Sequence, residues 1–213
     1  MSTPAEAQSF LNEAEFLLRH LFMAIDHYDR AVATIQDEIK RIEDAENLFA
    51  GIFIERDQWS PNANYLYGQY VERMKALRTQ RLPLQAADAL DKQLARMGAS
   101  VDALALAAGA VLQIGKQTLA FRFGGRNAVL NGSGGSRQVG AQDIIELIWE
   151  GRNHGMHFEE GNPNPRVQAM LQGLQAHLGQ AIDHRTNNSF TILRALGWNS
   201  TQDVLTELRA MVA

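Results

Sequence analysis

This chain has no cysteine. Disulfides, thiolate metal sites and a cysteine nucleophile are therefore excluded, and the composition fits a reducing compartment. Proline is scarce, with 5 residues beside 17 glycines and 21% charged residues, so the sequence is neither disordered nor collagen-like. The opening MSTPAEAQ lacks the basic start and apolar core of a secretory signal. Long hydrophobic runs are missing too. The most apolar, 103–115 (ALALAAGAVLQIG), falls short of the roughly 20 residues that span a bilayer and reads as a buried helix. A soluble, cytoplasmic protein without a membrane partner is expected.

Strong basic charge is absent as well. The net charge of −4 argues against broad electrostatic binding of nucleic acid. The charge is unevenly placed, however. Acidic residues crowd the first sixty positions, whereas none occurs from 103 to 142, where Lys116, Arg122, Arg126 and Arg137 fall. That segment reads either as a phosphate-attracting surface or as a polar stretch with ordinary solubilising charge.

What is present is helical periodicity. The 213 residues, 46% hydrophobic, suffice for one globular domain or a domain with an extension. Leu11, Leu18, Ile25, Val32 and Ile39 recur every seven residues, and Ala14, Leu21, Tyr28, Ile35, Ile42 and Phe49 form a second series offset by three. Together they make a heptad seam, on one helix or two nearly collinear ones, roughly 60 Å long if unbroken. Such a seam packs inside a bundle or mediates dimerisation. Ser60-Pro61 starts a helix carried by Tyr67, Tyr70, Val71, Met74 and Leu77. Leu82-Pro83 opens another, which runs to about Phe121 with Gly98 as a point of bending or division. The glycine-rich 124–140 reads as a long loop. Further helices follow over Ile144, Ile145, Ile148 and Trp149, over 167–182, over 190–196, and after the capping-box pattern of Ser200 and Asp203. Nothing reads as a strand. The expected fold is all-α: an up-and-down helical bundle with a long N-terminal heptad-patterned helix. It forms a single helical domain over 1–213, or a 1–60 extension for dimerisation or packing followed by a 61–213 bundle.

Two phosphate motifs fail on inspection. GAVLQIGKQT (109–118) has five residues between its glycines and Gln117 after Lys116, where a P-loop needs four and a Ser or Thr. The 124–140 stretch lacks GxGxxG spacing and a preceding strand. Polar chemistry concentrates instead in GRNHGMHFEEGNPNP, 151–165. His154, His157 and Glu159 are ligand types for zinc or iron, but no Glu-x-x-His pattern supports a metal, and Gly155 and Gly161 weaken helix continuity. No metal and no cofactor is expected. His20, His27, His177 and His184 have no complementary spacing and read as structural or surface residues.

Arg152-Asn153, three residues, then His157, at the end of a strongly apolar helix, resembles the R-x4–6-H signature of the HEPN superfamily. That resemblance implies an all-α domain and a metal-independent endoribonuclease, generally with two copies of the motif paired across a homodimer interface. His157 would be the general acid or base, Arg152 the cation that stabilises the phosphorane-like transition state, and Asn153 a positioning group. These roles suit the residues: imidazole titrates near neutrality, and guanidinium offers a fork of donors. His154, Arg126 and Arg137 are candidates for substrate contact. The resemblance further implies RNA as partner, cyclic-phosphate and 5′-hydroxyl products, and a setting in defence, a toxin–antitoxin pair or RNA processing, with an antitoxin or regulatory protein as possible partner. The alternative is a non-catalytic helical RNA- or protein-binding module, in which Arg152 and His157 only serve a helix end. On a continuous helix Arg152 and His157 would point about 140° apart, whereas Asn153 and His157 would share a face. Convergence needs a break near Gly155 or a second subunit.

Overall fold

The computed structural model describes residues 2–45, 84–132 and 137–213. Seven α-helices dominate it, and the fold is all-α. The helix expected after Ser60-Pro61 lies outside the described residues. The chain divides into two compact units, Asp26–Leu104, and Met1–Ile25 with Ala105–Ala213. The division runs inside two long helices, so the 1–60 stretch contributes to both units.

Helix α1 spans Pro4–Ala45 without interruption. It starts on a capping box: Glu6 N–H donates to Thr3 Oγ1 (3.2 Å) and Thr3 N–H donates to Glu6 Oε2 (2.7 Å), with Pro4 in the first turn. The seam residues Leu11, Leu18, Ile25, Val32 and Ile39 are all buried within the single chain. Of the offset series, Ile35 is buried and Ala14, Leu21 and Tyr28 are half-buried. The heptad pattern is therefore satisfied by intramolecular packing among the described residues. Helix α2, Leu84–Phe123, is also continuous, and Gly98 does not divide it. Its Asp88–Phe123 portion is long and apolar enough to cross a bilayer by length and composition. Burial accounts for much of that hydropathy, since Met97, Leu104, Ala108, Val111, Leu112 and Leu119 are all interior.

In the Asp26–Leu104 unit, Val32, Ile35 and Ile39 of α1 and Leu90, Leu94, Met97 and Val101 of α2 form the buried set, and Arg96 donates to Glu38 at 3.3 Å. In the other unit, Arg122 near the end of α2 donates to the carbonyls of Ser2 (3.2 Å) and Val212 (3.3 Å). Both chain ends are thereby tied to α2.

The 124–140 stretch departs from the expected loop. Gly124, in the left-handed region at φ 91°, terminates α2, and the following RNAVLNG winds into a short helix, α3 (Arg126–Gly132), anchored by buried Val129. A two-residue antiparallel ladder then pairs β1 (Gln138–Val139) with β2 (Gln142–Asp143) across a turn at Gly140, φ 60°. These strands are too short to show alternation in sequence.

Asp143 ends the ladder and caps α4 (Ile144–His157), its Oδ1 accepting from Ile145 N–H at 2.8 Å. A single 3₁₀ turn, Phe158–Glu160, continues α4 and stops at left-handed Gly161. Helix α5 (Pro165–Leu178) begins on an Asn164 cap and ends at left-handed Gly179. Helix α6 (Ser189–Ala195) leads to buried Trp198, and α7 (Thr201–Val212) starts on Ser200, whose Oγ accepts from Asp203 N–H. The Ser200 cap anticipated there is present, while the Asp203 carboxylate accepts from Asn199 N–H at 3.0 Å, one residue before the cap.

Candidate functional site

Helix α4 carries Arg152, Asn153, His154 and His157, and it does not break at Gly155. The reason is packing. Gly151 and Gly155, one turn apart, face α6: a Cβ on Gly151 would lie 3.0 Å from Ile192 Cγ2, and one on Gly155 would overlap Ser189 Oγ. The two glycines let α6 approach closely, and that contact outweighs their weak helix propensity of about 1 kcal/mol each. With the helix intact, Arg152 and His157 enter different surroundings.

Arg152 lies against α2, where its Nε donates to Gln113 Oε1. Beside it, Lys116 Nζ donates to Asn153 Oδ1 at 2.8 Å and sits 5.0 Å from the Trp149 ring centroid. Burial pushes the Lys116 ammonium below the usual lysine range; the Arg152 guanidinium adds to this and Glu150 opposes it. Asn153 in turn donates from Nδ2 to Glu150 Oε2 at 3.1 Å. Glu150 is only 2% exposed and also faces Arg126 Nε at 3.5 Å. The Asn153 amide is thus held at both ends, between a cation and a buried carboxylate. Lys116 and Arg152 form a paired cationic site at the edge of the α2–α4 contact, of the kind that attracts phosphate.

His157 sits on the other flank. It is largely exposed, and its Nδ1 lies 2.7 Å from Glu160 Oε1. The Glu160 carboxylate accepts from Nδ1–H and so fixes the orientation of the ring. Asn153, His154 and His157 line one cleft of about 230 Å³, together with Glu160, Asn162, Pro163, Asn164 and Val167. This is the shared face that 3.6-residue periodicity requires.

The three candidates for substrate contact are placed differently. His154 is 2% exposed, and its Nε2 lies 3.0 Å from the Thr186 carbonyl, to which it donates. Burial lowers its pKa, the Thr186 hydrogen bond opposes this, and His184 adds to the lowering. It is a buried histidine that ties the Thr186 carbonyl to α4 and also lines the inner wall of the His157 cleft. Arg126 donates to Glu146 and faces Glu150, and Arg137 donates to both carboxylate oxygens of Glu207 (2.8 and 2.9 Å) and to the Leu196 carbonyl. Both guanidiniums are raised above their ordinary value, first by these side-chain hydrogen bonds. Both guanidiniums are thus paired with carboxylates of the same chain. Among the described residues, no three His, Asp or Glu side chains gather as a metal ion would require.

Sequence reading placed Lys116 in a cationic segment without linking it to Asn153, and it missed Gln113, Glu150 and Glu160. Glu160 had a local signal, the i,i+3 spacing from His157. Glu150 had the same i,i+3 signal from Asn153, whereas Gln113 and Lys116 had none, since their roles depend on α2 meeting α4. No family model, curated protein or solved structure matches this chain.

Proposed function

We propose that this chain is a HEPN-like, metal-independent endoribonuclease whose site is assembled between two copies. The observation that carries this reading is the His157–Glu160 pair: an exposed imidazole, oriented by a carboxylate, in the same cleft as Asn153. In the reaction, the ribose 2′-hydroxyl loses its proton and its oxygen attacks the adjacent phosphorus. The 5′-oxygen leaves and is protonated, giving a 2′,3′-cyclic phosphate and a 5′-hydroxyl. Imidazole moves one of these protons, and Arg152 with Lys116 balances the charge gathering on the phosphoryl oxygens.

A second copy enters for a geometric reason. Arg152 and His157 diverge by about 140° on one helix, too far to grip one phosphate from a single protomer. Met156, one turn from Arg152, and Leu106, two turns from Gln113, are both exposed (63% and 67%). They supply apolar surface on the arginine's flank for a two-fold partner to cover. In this role the protein acts on cytoplasmic RNA, with an antitoxin or regulatory protein to restrain it.

Incubation with mixed RNA in EDTA tests the proposal. Cleavage with 5′-hydroxyl ends is expected, and it should be abolished in folded Arg152→Ala and His157→Ala proteins. A dimeric wild type inert on varied RNAs, or cleavage that EDTA stops, overturns it. The inert outcome would favour a helical binding module, whose docking residues would include the exposed Phe16, Leu17 and Met23 of α1.

A further inference from the structure

A second cavity opens beside the His157 cleft and shares two of its wall residues, Asn162 and Pro163. Its floor is the face of α5 that carries Gln168, Leu171, Gln172 and Gln175, at the i, i+3, i+4, i+7 positions of one helical stripe. The outer two glutamines build the walls. Gln168 Nε2 donates to the Pro163 carbonyl at 2.9 Å, holding the 161–163 turn against α5, and Gln175 Oε1 accepts from Ile182 N–H at 3.4 Å, holding the opposite segment. Among the described residues, the side chains of Gln172, between them, and of Asn162 and His184 have no hydrogen-bond partner. Leu171, Pro163 and Ile182 complete an apolar lining. The cavity measures about 300 Å³, at the lower end of the range for small-molecule sites.

Its chemistry decides the class of ligand. Among the described residues, no Lys, Arg, Asp or Glu lines the cavity, so its walls offer nothing to neutralise a phosphate. It presents instead two free amides, each both donor and acceptor, an imidazole, and flat apolar walls. Those groups match a planar heterocycle with its own donors and acceptors. The uncharged cavity joins the His157 cleft through Asn162 and Pro163, and Asn153 of that cleft accepts from Lys116.

We infer that the 161–184 cavity is a nucleobase pocket, which receives the base of a nucleotide flanking the scissile phosphate and reads it through Gln172, Asn162 and His184. This rests on the ribonuclease reading for its biological meaning, but it can be tested apart from it. Sequence spacing gave His184 only a structural or surface role; the fold turns it towards the cavity that adjoins the catalytic cleft.

The full-length protein is titrated with the four 3′-nucleoside monophosphates and with inorganic phosphate, followed by nuclear magnetic resonance. One base should bind about tenfold more tightly than phosphate, the discrimination expected of a good amide–base pair. Gln172→Ala and His184→Ala should level the four nucleotides while leaving phosphate binding unchanged. Equal affinity for all four and for phosphate, no binding, or an unchanged ranking in both variants would overturn the pocket. Gln172 is exposed, so its variant keeps the fold. Mapping cleavage sites separates the two proposals. Nucleotide discrimination without any RNA cleavage would keep the pocket and sink the ribonuclease, whereas cleavage with the same site preference in both variants would do the reverse.

Discussion

Arg152 and His157 stand five residues apart on one unbroken helix and are held by different partners. Arg152 reaches across to Gln113 on α2, while His157 turns to Glu160 in the following 3₁₀ turn. Under the proposed function, a site that uses both is completed by a second copy, and subunit mixing reads this out.

Arg152→Ala and His157→Ala proteins, each inactive alone, should regain activity when unfolded together and refolded. In a two-fold dimer with shared sites, each mixed pair carries one intact site and one doubly defective site. Half of the dimers are mixed at equal input, so recovery should approach roughly a quarter of wild-type activity. A mixture as inert as its components would show that each protomer keeps its own Arg and His together.

Asn153 should contribute to stability as well as to the site. Its amide satisfies buried Glu150 and anchors Lys116. Removing it in Asn153→Ala leaves the carboxylate short of a donor, at a cost of about 1–2 kcal/mol in urea denaturation. Combining Asn153→Ala with Lys116→Met should cost less than the sum of the two. Strict additivity would show that the 2.8 Å contact carries no coupling.

His154 predicts a pH dependence. Its folded-state pKa is lowered, chiefly by burial. A base depressed in this way contributes stability that is fully present above its unfolded value, about 6.5. The contribution is lost as pH falls through that value towards the lower folded one, because the unfolded chain binds the proton first. Urea midpoints should therefore drop between pH 7.5 and 5, and the drop should be smaller in His154→Asn. An equal drop in the variant would assign the effect to other groups.

The α4–α6 contact depends on Gly155. Adding a methyl there meets Ser189 Oγ, so Gly155→Ala should destabilise by about 1–3 kcal/mol. Ser189 Oγ is buried without a hydrogen-bond partner, so Ser189→Ala alone should cost little. A Gly155→Ala, Ser189→Gly pair should recover part of the loss, since it returns the space. A wild-type melting temperature for Gly155→Ala would refute this account of why the helix stays whole.

Much of the backbone was legible residue by residue. The seven-residue recurrence from Leu11 to Ile39, the Ser200 cap and the apolar stripe of α4 are local patterns, and a helix is a local structure, so sequence by itself determined the all-α fold. Helix ends were less legible, as α1 starts at Pro4 and the helix expected over 167–182 stops at Leu178. The 100° step likewise settled that Asn153 and His157 share a face while Arg152 does not, once α4 ran straight. Short elements escaped: the seven residues of α3 were masked by surrounding glycines, and two-residue strands carry no period.

Tertiary structure alone decided the environment of each polar side chain. His154 and His157 are three residues apart, yet one is a buried core group and the other an exposed one with a carboxylate partner. Arg126 and Arg137 looked like available charge until Glu146, Glu150 and Glu207 came to meet them. Lys116 and Asn153 are 37 positions apart and became neighbours only where α2 packs on α4. Burial and ion pairing depend on which surfaces meet, and that is a long-range property which no local period records.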